Sequence, residues 1–471
     1  MYLFIHHCDL RIVDNTTLNR LWNENKQVQP IFIFTPEQIV DNSYKSSNAI
    51  QFMINSLVDL EDAYRKNNIK LLYFLGKTED VLEELVSTHK NKIQGIGFNR
   101  DYSPFATERE QLVQDLCDRY GIECISTEDK LLNPVELIVT NKGDPYRKFT
   151  PYYNKARTFP VNHPQTIKPI KTLSSIESNT TLEAIDNYYS KNPNILKGGR
   201  GEGIQLLENI RKQKDYNNSR NIPSKSTSRL SAYLKFGCIS IREVYYKTLE
   251  ELGDEESDNL SDSASLPRKD ETELIKQYYW RDFYSMLLYY NKSVSDTVSI
   301  TKEKFNNIEW DNSEENYERW CNGETGCPIV DAGMREMNVT GYMHNRVRMI
   351  VATFLIFYLK IDWRWGMKYF SKKLTDIDWA SNVGNWQWTA GTELWSNDYY
   401  KVFSMDSQVK RFDPECSYIK KWIPELKDVE PNDLIHWDRE HYQVKGYVEP
   451  IIMDNKMARK EGVEMYRETK E

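Results

Sequence analysis

The chain has 471 residues and a formal net charge of −8, a length that allows two or three domains with sizeable cores. Its longest apolar run, 349–359, is too short to cross a bilayer, and the first residues lack the apolar stretch of a secretory signal, so an intracellular, soluble protein with no membrane partner is expected. Seven scattered cysteines have neither a disulfide framework nor metal-ligand spacing, so they read as reduced thiols and no metal is expected.

From the N-terminus, YLFIHH, VQPIFIF, IKLLYFL, IQGIGFN and IECIS are short apolar runs. Helical patterns separate them around 49–65, 79–87 and 107–119. Strand–helix alternation predicts an α/β Rossmann-like domain with a parallel sheet over residues 1–132. No G-x-G-x-x-G follows the first run, so a dinucleotide would have to bind there in some other way. Residues 133–196 carry scattered prolines and polar residues, KFTPYYNKARTFP among them, and read as a connector wrapped on the surface. From Lys197-Gly198-Gly199 the pattern is helical to the end, which predicts an all-α domain over 197–471. The stretch 252–270 is rich in Ser, Asp and Glu with almost no large apolar residue, and it reads as a disordered loop.

Charge is unevenly placed. Residues 250–273 hold ten acidic and two basic side chains, which accounts for the whole imbalance. Residues 335–373 hold eight Lys/Arg against two acidic residues, so a phosphate partner is compatible with an acidic chain, because binding follows the local field. A solvated helix face would look the same.

Four clusters carry candidate chemistry. Tyr216 and Arg220 precede Thr227-Ser228-Arg229-Leu230-Ser231, where hydroxyls at a helix start and a guanidinium can hold an anion, or merely cap the helix. Gln277, Trp280 and Arg281 share one helix face at i, i+3 and i+4, where a ring, an amide and a cation can stack on a base, bond its edge and hold a phosphate. Asn345, Arg348 and Met349 repeat that spacing beside Arg346. His344 reads as a hydrogen-bonded structural residue. Asp376, Asp378 and Asn382 precede Trp386 and Trp388. The two aspartates could be a metal pair or an acid pair, but a cap or an ion pair, for instance Asp376 with Arg348, better explains at least one of them, and no third carboxylate or histidine completes a metal site. The stretch 342–388 holds five tryptophans, of which Trp365 and Trp379 read as core.

In this order, the clusters and the segments NRDYSPFATERE, TSRLSAYLKFGCIS, YYWRDFY, GETGCPIVDAGMREM, YMHNRVRM, WRWGMKYF, SNVGNWQW and FDPECSYIKKWIPEL resemble the photolyase/cryptochrome family, in particular class I cyclobutane pyrimidine dimer photolyases. The likeness covers essentially the whole chain. It implies an antenna domain, then a helical domain that holds FAD. By position, Tyr216, Thr227, Ser228, Arg229, Leu230, Ser231, Arg348, Asp376, Asp378 and Asn382 would bind FAD. Asn382 would lie against flavin N5 and favour reduced flavin. Trp310, Trp363 and Trp386 would form an electron-hopping chain. Gln277, Trp280, Arg281, Asn345, Arg346, Met349 and Trp388 would contact ultraviolet-damaged DNA, with Trp280 and Trp388 flanking the extruded lesion. The implied reaction is light-driven splitting of a cyclobutane dimer by an electron from excited reduced FAD, carried out by a monomer.

Some positions depart from that pattern. Gln277 stands where cyclobutane-dimer photolyases usually carry Glu, and Gln is more typical of (6-4) photolyases and animal cryptochromes. Yet (6-4) enzymes place histidines where this chain has Asn345 and Met349, so their proton-transfer chemistry lacks an evident acid here. Tyr342 replaces a common Trp. His6, His7, Phe105 and Ala106 depart from antenna-binding relatives, which leaves a second chromophore (folate, deazaflavin or none) open. The alternatives are a (6-4) photolyase and a blue-light receptor without repair. The chain stops at Glu471, without a long extension, which favours the enzyme.

Overall fold

The computed structural model describes residues 1–40, 42–170, 175–253, 272–291, 303–393, 402–437 and 444–469. The acidic stretch expected to be a loop lies, from residue 254 onward, outside the described residues. The chain packs into two compact units. The first comprises residues 1–192, 196–214 and 228–295, and the second 193–195, 215–227 and 296–471. The domain limits expected at 132 and 196 stay a proposal beside this division.

The first unit holds a five-stranded parallel sheet of β1 (Tyr2–His6), β2 (Val28–Phe34), β3 (Leu72–Leu75), β4 (Gly95–Asn99) and β5 (Glu123–Thr127), in the order β3-β2-β1-β4-β5. Ile5 lies opposite Ile31 on β2 and Phe98 on β4. β1, β2 and β4 are buried along their whole length, which is why they read as nearly continuous apolar runs, whereas β5, at one edge, is buried only at Ile125. The order reverses at β1, so right-handed crossovers carry the intervening helices to opposite faces. β1 to β4 fall within the runs expected from sequence, and β5 extends one residue, Thr127, past its run. The helix Thr16–Asn23 was not expected. It is capped by Asn15, whose Oδ1 accepts from Leu18 N at 3.3 Å, and it buries Leu18, Leu21 and Trp22.

The expected connector is not only surface wrapping. It contains the helix Phe149–Ala156, which buries Tyr152, Tyr153 and Ala156. The spacing i, i+1 and i+4 of those three is the helical signal that the surrounding prolines and polar residues obscured. Below the sheet's carboxyl edge, Arg11, Asp14, Asp129 and Arg242 form a buried ion network. Arg11 Nη2 lies 2.6 Å from Asp129, and Arg242 reaches Asp14 and Asp129 at 2.8 Å each.

The second unit is helical. Its helices include Glu314–Asn322, Pro328–Thr340, Asn345–Thr353, Trp363–Lys373, Trp379–Ala390, Met405–Phe412, Ser417–Trp422 and Asn455–Glu468. The apolar run expected to be a buried helix continues Asn345–Thr353 through a π-helical turn, Phe354–Tyr358, whose five residues are all buried. Among the described residues no helix is long and apolar enough to cross a membrane.

Candidate active site

Three helices of the second unit bound one cleft. Asn345, Arg348 and Met349 project from Asn345–Thr353, Phe370 from Trp363–Lys373, and Asn382 and Trp386 from Trp379–Ala390. Asp376 and Asp378 line it from the turn before the last helix. The empty space in the cleft, open solvent at the mouth included, is about 590 Å³.

Each polar group has a local reason for its place. Arg348 Nη2 lies 2.9 and 3.1 Å from the two oxygens of Asp376, and its Nε donates to Met343 O at 2.8 Å. Burial works against the charge of Arg348, but the Asp376 carboxylate outweighs it and raises the guanidinium above its ordinary range. Asp378 caps its helix by accepting from Ser381 N at 2.9 Å. The ion pair and the cap weighed in the sequence therefore both exist, on the wall of a cleft. The Asn382 amide donates to Met367 O at 3.1 Å and Ser371 Oγ at 3.0 Å, which leaves the carbonyl oxygen as its acceptor. His344 is buried and structural: its Nδ1 accepts from Arg346 N, and its backbone N–H donates to Glu336 Oε2.

The apolar wall is Trp386, which is buried and edge-on to Phe370 at 5.0 Å and to Trp320 at 6.3 Å. Its ring lies on Gly366, where a Cβ would come within 2.2 Å of Cη2, so only glycine allows this approach. Gly366 is one turn along the helix from Trp363, itself 1% exposed. Trp310 is half-buried and edge-on to Tyr466 at 6.0 Å. Trp365 and Trp379, expected in the core, are both partly exposed. Trp365 meets Tyr317 edge-on at 5.0 Å, at the rim of the aromatic cluster around Trp320.

The remaining residues do not line this cleft. Arg346 turns to Asn221, at 2.6 Å, and covers the Phe412 ring at 4.4 Å. Burial, then Arg411 and Arg220, lower its guanidinium, so three arginines share one patch. Asn221, beside Arg220, and Arg411, just before the segment that starts at Phe412, were not singled out in the sequence, because nothing local marks a contact with Arg346 more than 60 positions away. Trp388 is 42% exposed. Thr227 meets Tyr342 at 3.0 Å between hydroxyls, and Tyr216 begins a four-residue helix.

In the first unit, Ser228, Arg229 and Leu230 precede the short helix Ser231–Lys235, and Arg229 takes a left-handed φ of 53°. Gln277 is half-buried and donates to Glu273 O at 3.2 Å. Trp280, also half-buried, stacks on Phe149 with centroids 3.7 Å apart. Arg281 is committed to the protein, donating to Lys130 O at 2.7 Å and Leu234 O at 3.4 Å with its side chain 15% exposed. That geometry disfavours the expected contact with DNA.

At the carboxyl ends of β1 and β4, where ligands commonly bind in such sheets, His6 is buried between Asp9 and Tyr64, and Lys130 pairs with Asp101 at 2.6 Å. Burial, then Arg109, push the His7 imidazole well below its usual range. Phe105 is 45% exposed and Ala106 is buried.

Comparison with known proteins assigns the family. The family model "DNA photolyase" matches residues 2–170, and "FAD binding domain of DNA photolyase" matches 274–468. A curated deoxyribodipyrimidine photo-lyase of Halobacterium salinarum is 32% identical over 99% of this chain and 98% of the relative. The chain belongs to the DNA photolyase family. A crystal structure of the Sulfolobus tokodaii photolyase, described as holding two FAD molecules, superposes with a TM-score of 0.85 at 37% identity, covering 99% of each chain. A Synechocystis cryptochrome superposes at 0.83 with 24% identity, covering 99% of each chain, a likeness of fold alone. The fold class and the FAD-binding domain expected from sequence therefore hold, while the fold by itself does not separate enzyme from receptor.

Proposed function

We propose that the chain is a light-driven DNA repair enzyme that splits cyclobutane pyrimidine dimers. One observation carries the reading: the ion pair Arg348–Asp376, Asn382 and the Trp386 wall meet in a single cleft of a photolyase-family chain. The donor set fits a flavin. Arg348 with Asp376 offers a charge-paired edge to a polar ring, Phe370 and Trp386 offer apolar contact, and Asn382 offers an acceptor that matches the N–H a flavin carries at N5 only when reduced. When bound and reduced, FAD supplies the photoexcited electron that opens the cyclobutane ring and afterwards regains it.

The protein's part is placement and field. Arg348 and Asp376 fix the cofactor, with Asp378, Tyr216, Thr227 and Ser228 to Ser231 as further contacts. Trp386, Trp363 and the partly exposed Trp310 pass electrons inward from the surface. The glycine contact at Gly366 brings the first of these rings within one helical turn of the second. Photolyases extrude their target from the helix, and Trp280, Gln277, Asn345, Met349 and Trp388 are the groups assigned to the extruded lesion. The arginine patch around Arg346 is assigned to DNA phosphates, and Arg281 to holding its helix in place. A second chromophore is assigned to the carboxyl ends of β1 and β4. The absorption spectrum of the purified protein distinguishes a folate, a deazaflavin and a second flavin.

Gln277 favours a second reading, repair of (6-4) products. Asn345 and Met349 speak against it, because neither side chain can give or take the proton that this chemistry needs. Illumination of the reduced protein with oligonucleotides bearing one lesion or the other separates the readings. Restored thymines from the dimer alone support the first, restoration from the (6-4) product supports the second, and restoration from neither, with FAD bound, supports a receptor.

A further inference from the structure

We infer that Phe149 is a positioning residue for the lesion: it closes one face of Trp280 and fixes the plane of the face left for an extruded pyrimidine pair. This rests on the assignment of Trp280 to lesion contact. The Phe149 and Trp280 rings lie 3.7 Å apart at 7°, the geometry of stacked bases, so no ligand ring can share that face. Trp280 is nevertheless half-buried rather than enclosed. Its other ring neighbours, Phe283 and Tyr284, are each 5.7 Å away, the first edge-on and the second inclined at 30°.

Phe149 is half-buried and held by ring contacts. It is the first residue of the helix Phe149–Ala156, whose Tyr152, Tyr153 and Ala156 are 2%, 5% and 0% exposed. Its ring is edge-on to Phe283 at 5.8 Å and roughly parallel to Tyr153 at 5.7 Å, and Tyr153 is edge-on to Tyr279 at 5.3 Å. Tyr279 and Phe283 flank Trp280 on the helix Glu273–Tyr290. Phe149 is therefore clamped by the same helix that carries Trp280. If it merely stood in for a base and swung out on binding, those buried contacts would have to break.

The surroundings suit a nucleic acid strand. Lys276 and Arg157 lie over the Tyr153 ring at 5.8 and 5.5 Å, and Arg147 and Lys148 beside Phe149 are exposed. Rings bordered by cations are how single strands are gripped, with bases on the rings and phosphates on the cations. A fixed indole plane also avoids the ordering cost that a free ring would add on binding.

The test is dark binding of the full chain to two labelled oligonucleotides, one carrying a single thymine cyclobutane dimer and one undamaged, followed by fluorescence anisotropy. Phe149→Leu is expected to reduce the affinity ratio between them roughly tenfold. Phe149→Met, close to Phe in volume, is expected to do the same while keeping the packing, and Phe149→Tyr is expected to preserve the ratio. An unchanged or increased ratio in either folded non-aromatic variant overturns the inference. Trp280→Leu separates the two levels. If it leaves the ratio intact, the assignment of Trp280 to the lesion fails. If it abolishes the ratio while Phe149→Leu does not, only the role of Phe149 fails.

Discussion

Two arginine–carboxylate clusters in this chain use the same chemistry for different ends. In the first unit, Arg11, Asp14, Asp129 and Arg242 have side chains 2–8% exposed, and their charges face one another and the backbone, with Arg11 also bonding Gly237 O and Arg242 bonding Asp129 O. In the second unit, the Arg348 side chain is 26% exposed and Asp376 7%, on the wall of a cleft. The first cluster is closed on itself and belongs to the fold. The second opens toward a cleft, and that opening, not the ion pair, is what the proposed flavin site rests on.

The largest effect should come from breaking the closed cluster. Asp129→Ala leaves two buried arginines short of a carboxylate and is expected to cost about 3–5 kcal/mol of stability in urea unfolding. A loss below about 1 kcal/mol would mean the network is not needed. Its pH behaviour has a definite sign. Burial alone would raise the Asp129 carboxyl, but Arg11 and Arg242 outweigh it and hold it well below the ordinary range. Its contribution is therefore complete above the unfolded value of about 4 and is lost as pH falls through the lowered folded value. Asp129→Asn should flatten that acid limb.

Breaking the open pair should behave differently. Arg348→Ala is expected to lower bound FAD per chain roughly tenfold while shifting the melting temperature by only a few degrees. Retention of stoichiometric FAD by the folded variant would erase the distinction between the clusters. A third change sharpens the cleft itself. Trp386→Phe is expected to slow photoreduction of oxidised flavin roughly tenfold or more while chemically reduced protein repairs at the parent rate. Equal photoreduction in variant and parent would remove Trp386 from the electron path. The smallest effect is expected at Gln277→Glu, a few-fold gain in dimer repair, because a carboxyl group stabilises developing charge better than an amide. No gain would show that the amide is not limiting.

The two units also differed in how much their sequence disclosed. The sheet was legible because β1, β2 and β4 are buried end to end and so read as apolar runs. The helix Thr16–Asn23 escaped notice because eight residues give too short a window for periodicity. Arg348, Asp376, Asp378, Asn382 and Trp386 were recognised by resemblance, and the structure adds that one cleft gathers them. Local spacing could not have supplied that, since Arg348 and Asp376 meet across 28 positions. Nor could it show that Arg281 spends its donors on Lys130 and Leu234, or that Phe149 in the supposed connector lies flat on Trp280. Both are long-range contacts, and a helix-face pattern carries no information about which distant partner occupies the face.

The most direct test of the account is light-dependent repair. Purified protein, reduced with FAD bound, is illuminated with an oligonucleotide carrying one thymine cyclobutane dimer, and restored thymines are counted by chromatography against a dark control. Restoration is expected in light, with none in the dark and none in light for Arg348→Ala preparations that lack flavin. Equal thymine yields in light and dark, from protein that demonstrably holds reduced FAD, would contradict it.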